Sequence, residues 1–514
     1  MEINQKKRRI FNHRPICVCT LSAIFCLLAV NAILHSKAFE AVIYFVALAV
    51  LLGYVAYKRK FVCVVFALVV SAVFAVYACV VVKHFSTNTY NDQTVNLTAR
   101  VNRLVRDYGS ARRYLMNDVK FGAEKQNFNV YLTIHDNTSV YEDIDSGTVL
   151  SCSVILEANE ILRAQDIDYS TYGYNVKYDG SVYIDNIVIL DQKPTIADKV
   201  RSVIKSRIYG AMSVENATLA YSALFGDKLE LTHEFREAFS ASGAAHLVAV
   251  SGLHVGLIVS IIAFVLGKLK VKPWVSFVVN FILIGLYAYL CNFAVSVCRA
   301  WLMTAVLLLA PLVKREYDTI SSISLAGLIL LAINPFEIFD PSALMSFGCV
   351  IGIAGFNKMF AKGLCKLRFP KFLVDSLSMS MSAQLGILGA TMLFFNNISV
   401  ISIVTNIIVI PLFTFAFSFV FCVAFIAIIL PFVRYLLWLV NPVLSCVCFV
   451  CNWLGRLSFA NISTNGISYL SYMIYNSAVI CASKYTMLKR ADKIISTLVV
   501  FTIFIVCATI GVLV

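Results

Sequence analysis

Charge is scarce in these 514 residues: aspartate, glutamate, lysine and arginine together make up 14%. Acidic residues are the scarcer sign, 29 against 43 basic ones, which leaves a net charge of +14. Such an excess suits nucleic-acid binding, but membrane proteins collect Lys and Arg in cytoplasmic loops, and that accounts for most of it. Histidine is also sparse, with seven residues, and no Cys/His cluster has zinc spacing. The 16 cysteines do not offset this. Cys17, Cys26, Cys79, Cys422 and Cys446 sit in apolar runs, as does the CFVC pair Cys448 and Cys451, and there a thiol packs as a small hydrophobe. No GxxxxGK[ST] phosphate loop is present, so the chain carries no nucleotide-driven motor. Neither a metal, nor a cofactor, nor a catalytic residue is expected.

What is abundant is apolar sequence, 60% of the chain. Runs at 16–34, 38–57 and 61–82 each approach the ~20 residues that cross a bilayer. Basic residues from Lys6 to Arg14 precede the first run without a cleavage site, so it reads as an anchor. With that end and Lys58, Arg59 and Lys60 inside, the third span exits outward. Residues 83–200 are polar, with short β-favouring runs such as VNLTARV, FNVYLTI, TVLSCSVIL and SVYIDNIVIL parted by turn clusters. They predict a small extracytoplasmic all-β domain, either an OB-like barrel or a sandwich. Its lone cysteine, Cys152, excludes an internal disulfide. Arg100, Arg103, Arg106, Arg112, Arg113 and Lys120 cluster early in it, interleaved with Tyr108, Tyr114, Phe121 and Phe128, whereas Asp143, Asp145, Glu157, Glu160, Asp166 and Asp168 come later. Single-strand binders pair a positive groove with stacking rings, so Arg100 to Lys120 with Tyr114 are the DNA-binding candidates. The alternative is an ordinary solvated surface.

Residues 201–242 read as amphipathic interfacial helices, with Thr232 as an N-cap. Residues 243–514 form a polytopic helical domain, with spans near 274–292, 295–313, 319–333, 342–360, 373–395, 399–430, 435–456, 467–486 and 494–514. The 399–430 run is interrupted by Asn406 and Pro411 and predicts a broken or re-entrant helix. At the head of the domain stands GAAHLVAVSGLHVG, 243–256, which brings His246, Ser251 and His254 into an apolar run. Ionisable groups at membrane depth point to function. Read as one helix, it puts Ser251 and His254 on one face and His246 about 12 Å from His254 along the axis. Gly252 and Gly256 form a small-xxx-small pair suited to a close helix crossing. Arg299, beside Trp301, is suited either to a passing phosphate or to snorkelling. A hydrolase built on Ser251 and His254 lacks a GxSxG elbow and an acidic orienter.

The run EAFSASGAAHLVAVSGLHVGLI resembles the signature of the ComEC/Rec2 family, the inner-membrane DNA-uptake channels of natural transformation, close to GxxHLLAISGLHVGL there. ALFGDKLELT before it, the Arg299 helix, Arg315 and Asp318, Asn334 and Pro335, Asp340 and Pro341, Ser346 and Phe347, and later Gln384, Asn406 and Pro411 continue the resemblance. It departs at Ala343, Leu344 and Met345, where the family has Phe-Gln-Leu. The resemblance favours the OB-like choice for the β domain. It implies a channel that moves single-stranded DNA through the cytoplasmic membrane, lined by His246, Ser251, Gly252, His254, Gly256, Arg299 and Asn406. It also implies a cytoplasmic DNA motor and single-strand-binding proteins as partners besides membrane lipid, with room for an external DNA receptor. Many family members carry a metallo-β-lactamase-like nuclease; the seven histidines make no HxHxDH cluster, so a separate nuclease is expected. The competing reading is a membrane transporter of an unrelated small solute. Oligomeric state is not legible.

Overall fold

A computed structural model describes residues 15–34, 38–57, 61–86, 89–108, 110–135, 144, 146–158, 175–192, 194–227, 231–457, 460–464, 467, 469–483, 497–502 and 504. The basic N-terminus, Lys58 to Lys60, the acidic residues Asp143, Asp145, Glu160, Asp166 and Asp168, and most of the 494–514 run lie outside them.

Three apolar helices come first: α1 (Pro15–Leu34), α2 (Ala38–Tyr57) and α3 (Phe61–Ser86). A barrel follows, built from β1 (Gln93–Asp107), β2 (Ala111–Phe121), β3 (Glu124–Lys125), β4 (Asn129–His135), β5 (Thr148–Ala158), β6 (Val176–Tyr183) and β7 (Ile187–Gln192). The strand order is β1-β2-β4-β6-β5, and β1 pairs back onto β5 and closes the ring. Every pairing is antiparallel except β4 with β6. Three register shifts in β1, between Thr98 and Arg106, bend that strand between its two neighbours. Alternation then fills the inside: Leu97, Ala99 and Val101 on β1, Tyr114 and Met116 on β2, Val130, Leu132 and Ile134 on β4.

The rest is helical: α4 (Ile196–Tyr209), α5 (Val214–Phe225), α6 (His233–Ala241), α7 (Ala245–Val248), α8 (Gly252–Lys268), α9 (Pro273–Leu290), α10 (Val295–Leu312) and α11 (Thr319–Ile333). A 3-10 turn at Pro335–Phe339 leads to α12 (Pro341–Cys365), α13 (Lys371–Phe394), the short strand β8 (Asn397–Ser399) and α14 (Ser402–Ile429). A second 3-10 segment, Pro431–Val440, precedes α15 (Asn441–Gly455), strand β9 (Asn461–Ser463), which pairs with β8, and α16 (Tyr469–Ala482). Among the described residues, nine helical segments are long and apolar enough to cross a membrane, and α8 and α11 are shorter apolar helices. In lipid, helices satisfy their own backbone groups, which is why the apolar runs become helices.

Three sequence expectations need correction. The run around Asn406 and Pro411 is one unbroken 28-residue helix, α14. Proline removes one donor, and the remaining ladder holds; at 1.5 Å per residue the helix is about 42 Å long and fits a bilayer by tilting. The 201–242 stretch is not wholly interfacial. The hairpin α4–α5 is inserted among α9, α14 and α15, and α5 is buried from Asn216 to Phe225. Its polar residues, which make it look amphipathic, have interior partners: Asn216 donates to Asn441 Oδ1 at 2.8 Å and Ser445 Oγ at 2.7 Å, and Thr218 to Val214 O at 2.8 Å. The close helix crossing is also elsewhere. Gly256 has no atom within 4 Å of an added Cβ, whereas Gly348 and Gly352 of α12 meet the backbone of α13 at Gly386 and Ser382.

Candidate functional site: the broken signature segment and the buried arginine

The signature segment is not one helix. Gly243, with φ +78°, turns the chain out of α6, and α7 runs for a single turn. Ala249 and Ser251 are extended, and α8 starts afresh at Gly252. The break is held from neighbouring elements: Ser296 Oγ of α10 donates to Val250 O at 2.7 Å, and Val250 packs over Gly226. Ser251 therefore caps α8 instead of sharing a helical face with His254. Its backbone N–H donates to His254 Nδ1 at 3.0 Å, and its hydroxyl stands 3.4 Å from the same nitrogen. Because Nδ1 accepts, a neutral His254 carries its proton on Nε2. The ring is fully buried against Phe417 and Phe413, with centroids 4.4 and 5.5 Å away, and among the described residues Nε2 has no hydrogen-bond partner. This is a capping and packing arrangement. His246 on α7 is half-buried, while Gly252, Gly256 and Ser260 are exposed at four-residue spacing along one face of α8.

Arg299 is 1% exposed, which corrects its placement as a channel-lining residue. Its Nη2 donates to Ser342 O at 2.7 Å and Ser342 Oγ at 3.1 Å, and its guanidinium lies over the Phe347 ring at 5.7 Å. Nη1 faces Glu337 Oε1 at 3.7 Å, an ion pair that the sequence reading passes over. Among the described residues, Arg299 Nε and Nη1 and Glu337 Oε1 have no hydrogen-bond partner. The NPFEIFDP stretch around Glu337 is two caps in succession. Asn334 Oδ1 accepts from Phe336 N and starts the 3-10 turn; Asp340 Oδ1 accepts from Ala343 N and starts α12. Asp318 likewise accepts from Ser321 N at the head of α11. Several residues that carry the resemblance are thus helix starts that fix the corner in which Arg299 is buried. Asn406 on α14 is half-buried and donates weakly to Ser380 Oγ at 3.4 Å.

On the barrel, the expected basic and aromatic residues separate. Tyr114 is 2% exposed inside the core and cannot stack on a base, which corrects its assignment as a DNA-binding residue; Phe128 is buried in the same core. Arg100, Arg103 and Arg112 are half-buried, and Lys120 is exposed. At the β1–β2 hairpin Arg106 lies 5.2 Å over the exposed ring of Tyr108, and Arg106 pairs across the strands with Arg113. Arg113 bonds Asp179 at 2.6 Å and covers Tyr131 at 4.4 Å. Burial opposes its charge, but the Asp179 carboxylate outweighs this and raises its pKa. Beside that pair, His135 Nε2 meets Ser181 Oγ at 2.8 Å, and the His135 and Tyr183 rings are 5.4 Å apart. The outward positions Thr133 and His135 follow from the alternation of NVYLTIH, a signal present in the sequence, whereas Tyr131 on the same face of the strand is buried against Leu115 and Val176.

The features together define a helical membrane protein with a closed β-barrel after its third helix and a broken helix at the head of its main bundle. The chain belongs to the competence protein family, whose description is "Competence protein" and which it matches over residues 223–489. It is similar to "ComE operon protein 3" of Bacillus subtilis, 26% identical over 272 residues, covering 52% of this chain and 34% of that protein. It is also similar to "Recombination protein 2" of Haemophilus influenzae, 27% identical over 172 residues, covering 32% of this chain and 21% of that protein. The chain thus matches about a third of the length of the first of these relatives and about a fifth of the second. No solved structure matches it. The matched residues contain the broken signature and the Arg299 junction, and the barrel lies outside them.

Proposed function

We propose that this chain is a channel that passes single-stranded DNA through the cytoplasmic membrane during uptake for transformation. The observation that carries it is the family match over the bundle that contains the broken signature. Lys268 at the end of α8 with Lys270 and Lys272 after it, Lys314 and Arg315 after α10, and Lys366 and Arg368 after α12 with Lys371 at the start of α13 fall at alternate connections. By the positive-inside rule those connections are cytoplasmic, and the barrel then lies outside. The barrel's strand order, with its one parallel pair, supports an OB-fold. Arg106, Tyr108, His135 and Tyr183 on its outer surface supply the cation and rings that single strands use. The open face of α8, with Gly252, Gly256 and Ser260, offers a small-sided wall for the strand. A cytoplasmic motor and single-strand-binding proteins would pull the DNA. The test is DNase-protected uptake of labelled DNA in a transformable host that lacks this chain. Lost protection with surface binding intact, restored by the wild-type chain, is expected. Unchanged protection in the deletion strain would overturn the proposal and favour transport of another solute.

A further inference from the structure

The ten-residue 3-10 segment Pro431–Val440 buries only Leu437 and Val440. Phe432, Tyr435 and Trp438 are 67%, 62% and 70% exposed, and Leu436 and Leu439 are exposed with them. Five such side chains on one short element are costly in water and ordinary at a bilayer interface, where Trp and Tyr collect. Opposite them lies the turn between α4 and α5. Tyr209, Met212 and Ser213 on one side and Tyr435, Trp438 and Asn441 on the other line a shallow, open cleft of about 420 Å³. Part of its lining is polar and fixed: Ser213 N and Oγ donate to Asn441 Oδ1 at 3.2 and 3.3 Å, and Asn216 donates to the same oxygen at 2.8 Å.

Arg434 stands beside this cleft, over the Tyr435 ring at 5.0 Å and donating to its hydroxyl at 3.2 Å. Among the described residues no carboxylate forms an ion pair with it. A Cβ at position 210 would meet Arg434 Nη1 at 3.5 Å, so Gly210 leaves room for the guanidinium. Arg207, one turn earlier, has a buried Nε without a hydrogen-bond partner among the described residues. The place therefore combines an uncompensated guanidinium, a polar lining and rings, and it continues into an apolar wall.

We propose that this cleft seats one anionic phospholipid, its phosphate on Arg434 and its acyl chains along Phe432, Leu436 and Leu439. Charge complementarity selects an anion, and the exposed apolar wall selects a lipid over a nucleic-acid strand, which would leave that wall uncovered. The proposal does not depend on what the bundle transports.

The full chain, purified in mild detergent, would be unfolded by heat with phosphatidylglycerol, phosphatidylcholine, inorganic phosphate or a single-stranded oligonucleotide added. Phosphatidylglycerol is expected to raise Tm by about 3 °C over phosphatidylcholine. Arg434→Gln should lose that difference, and Arg456→Gln, an exposed cation elsewhere, should keep it. If Arg434→Gln does not accumulate, Tyr435→Ala, which removes an exposed ring, should reduce the difference. Equal shifts with both lipids, an equal shift with phosphate or oligonucleotide, or a full shift in the Arg434→Gln or Tyr435→Ala variant would overturn the proposal.

Discussion

A buried charge is decided by its partner, and Arg299 shows how much rests on one residue. With Glu337 removed, the guanidinium keeps Ser342 and the weaker influence of Asp340 but loses its ion-pair partner. Glu337→Ala should therefore lower stability by about 3–5 kcal/mol, and Arg299→Ala by a similar amount, whereas the double change to Arg299→Met with Glu337→Leu should recover most of the loss. Denaturation of the purified variants checks this; additive losses in the double variant would contradict the pairing. On the barrel the same scale separates core from surface. Tyr114→Ala should cost about 3–5 kcal/mol by opening the core, while Tyr108→Ala should leave stability unchanged and weaken single-strand binding by the full chain. Equal effects of the two on stability would contradict that division. Cys152 is buried between strands, and burial pushes its thiol up to about 11. Since the thiolate is the reacting form, Cys152 should resist maleimide at pH 8 in the folded protein and react on unfolding; fast labelling in the native state would show the core to be open.

At the scale of elements, the sequence marked most apolar helices because an apolar run of bilayer length has few other solutions. What it could not mark was which small residues meet. Gly252 and Gly256 have the same spacing as Gly348 and Gly352, yet an added Cβ meets nothing within 4 Å at Gly256 and only Ala300 Cβ, at 3.9 Å, at Gly252, while the second pair lies against the backbone of α13. The difference lies in Gly386, a residue with no local signal tying it to Gly348, so spacing alone could not tell them apart. Gly386→Leu should thus separate α12 from α13 and cost at least about 1–3 kcal/mol, and Gly256→Leu should leave stability unchanged. The break in the signature segment was likewise hidden: HLVAVSGLHVG reads as a continuous apolar helix, and what interrupts it is Ser251 capping α8 and Ser296 taking the Val250 carbonyl from a different helix. Asn216 of α5 misled for the same reason, because its partners Asn441 and Ser445 are more than two hundred residues away. Cap residues were the reverse case. Asn334 and Asp340 stood out in the sequence by resemblance, and their work is local, each holding the first turn after itself.

The whole molecule has three parts that bear on the proposed function: a barrel with an exposed Arg106–Tyr108 corner, a bundle whose signature helix starts at a capped break, and a face of small residues on that helix. Under the proposed function, DNA passes along this face. The most direct measurement places a photo-crosslinking amino acid at Gly256 or Ser260 on α8, and at Phe281 on α9 as a control, in a transformable host taking up labelled DNA. Illumination during uptake should attach labelled strands to the chain at 256 and 260 and not at 281. Attachment at none of the three while uptake proceeds, or equal attachment at all of them, would contradict the account.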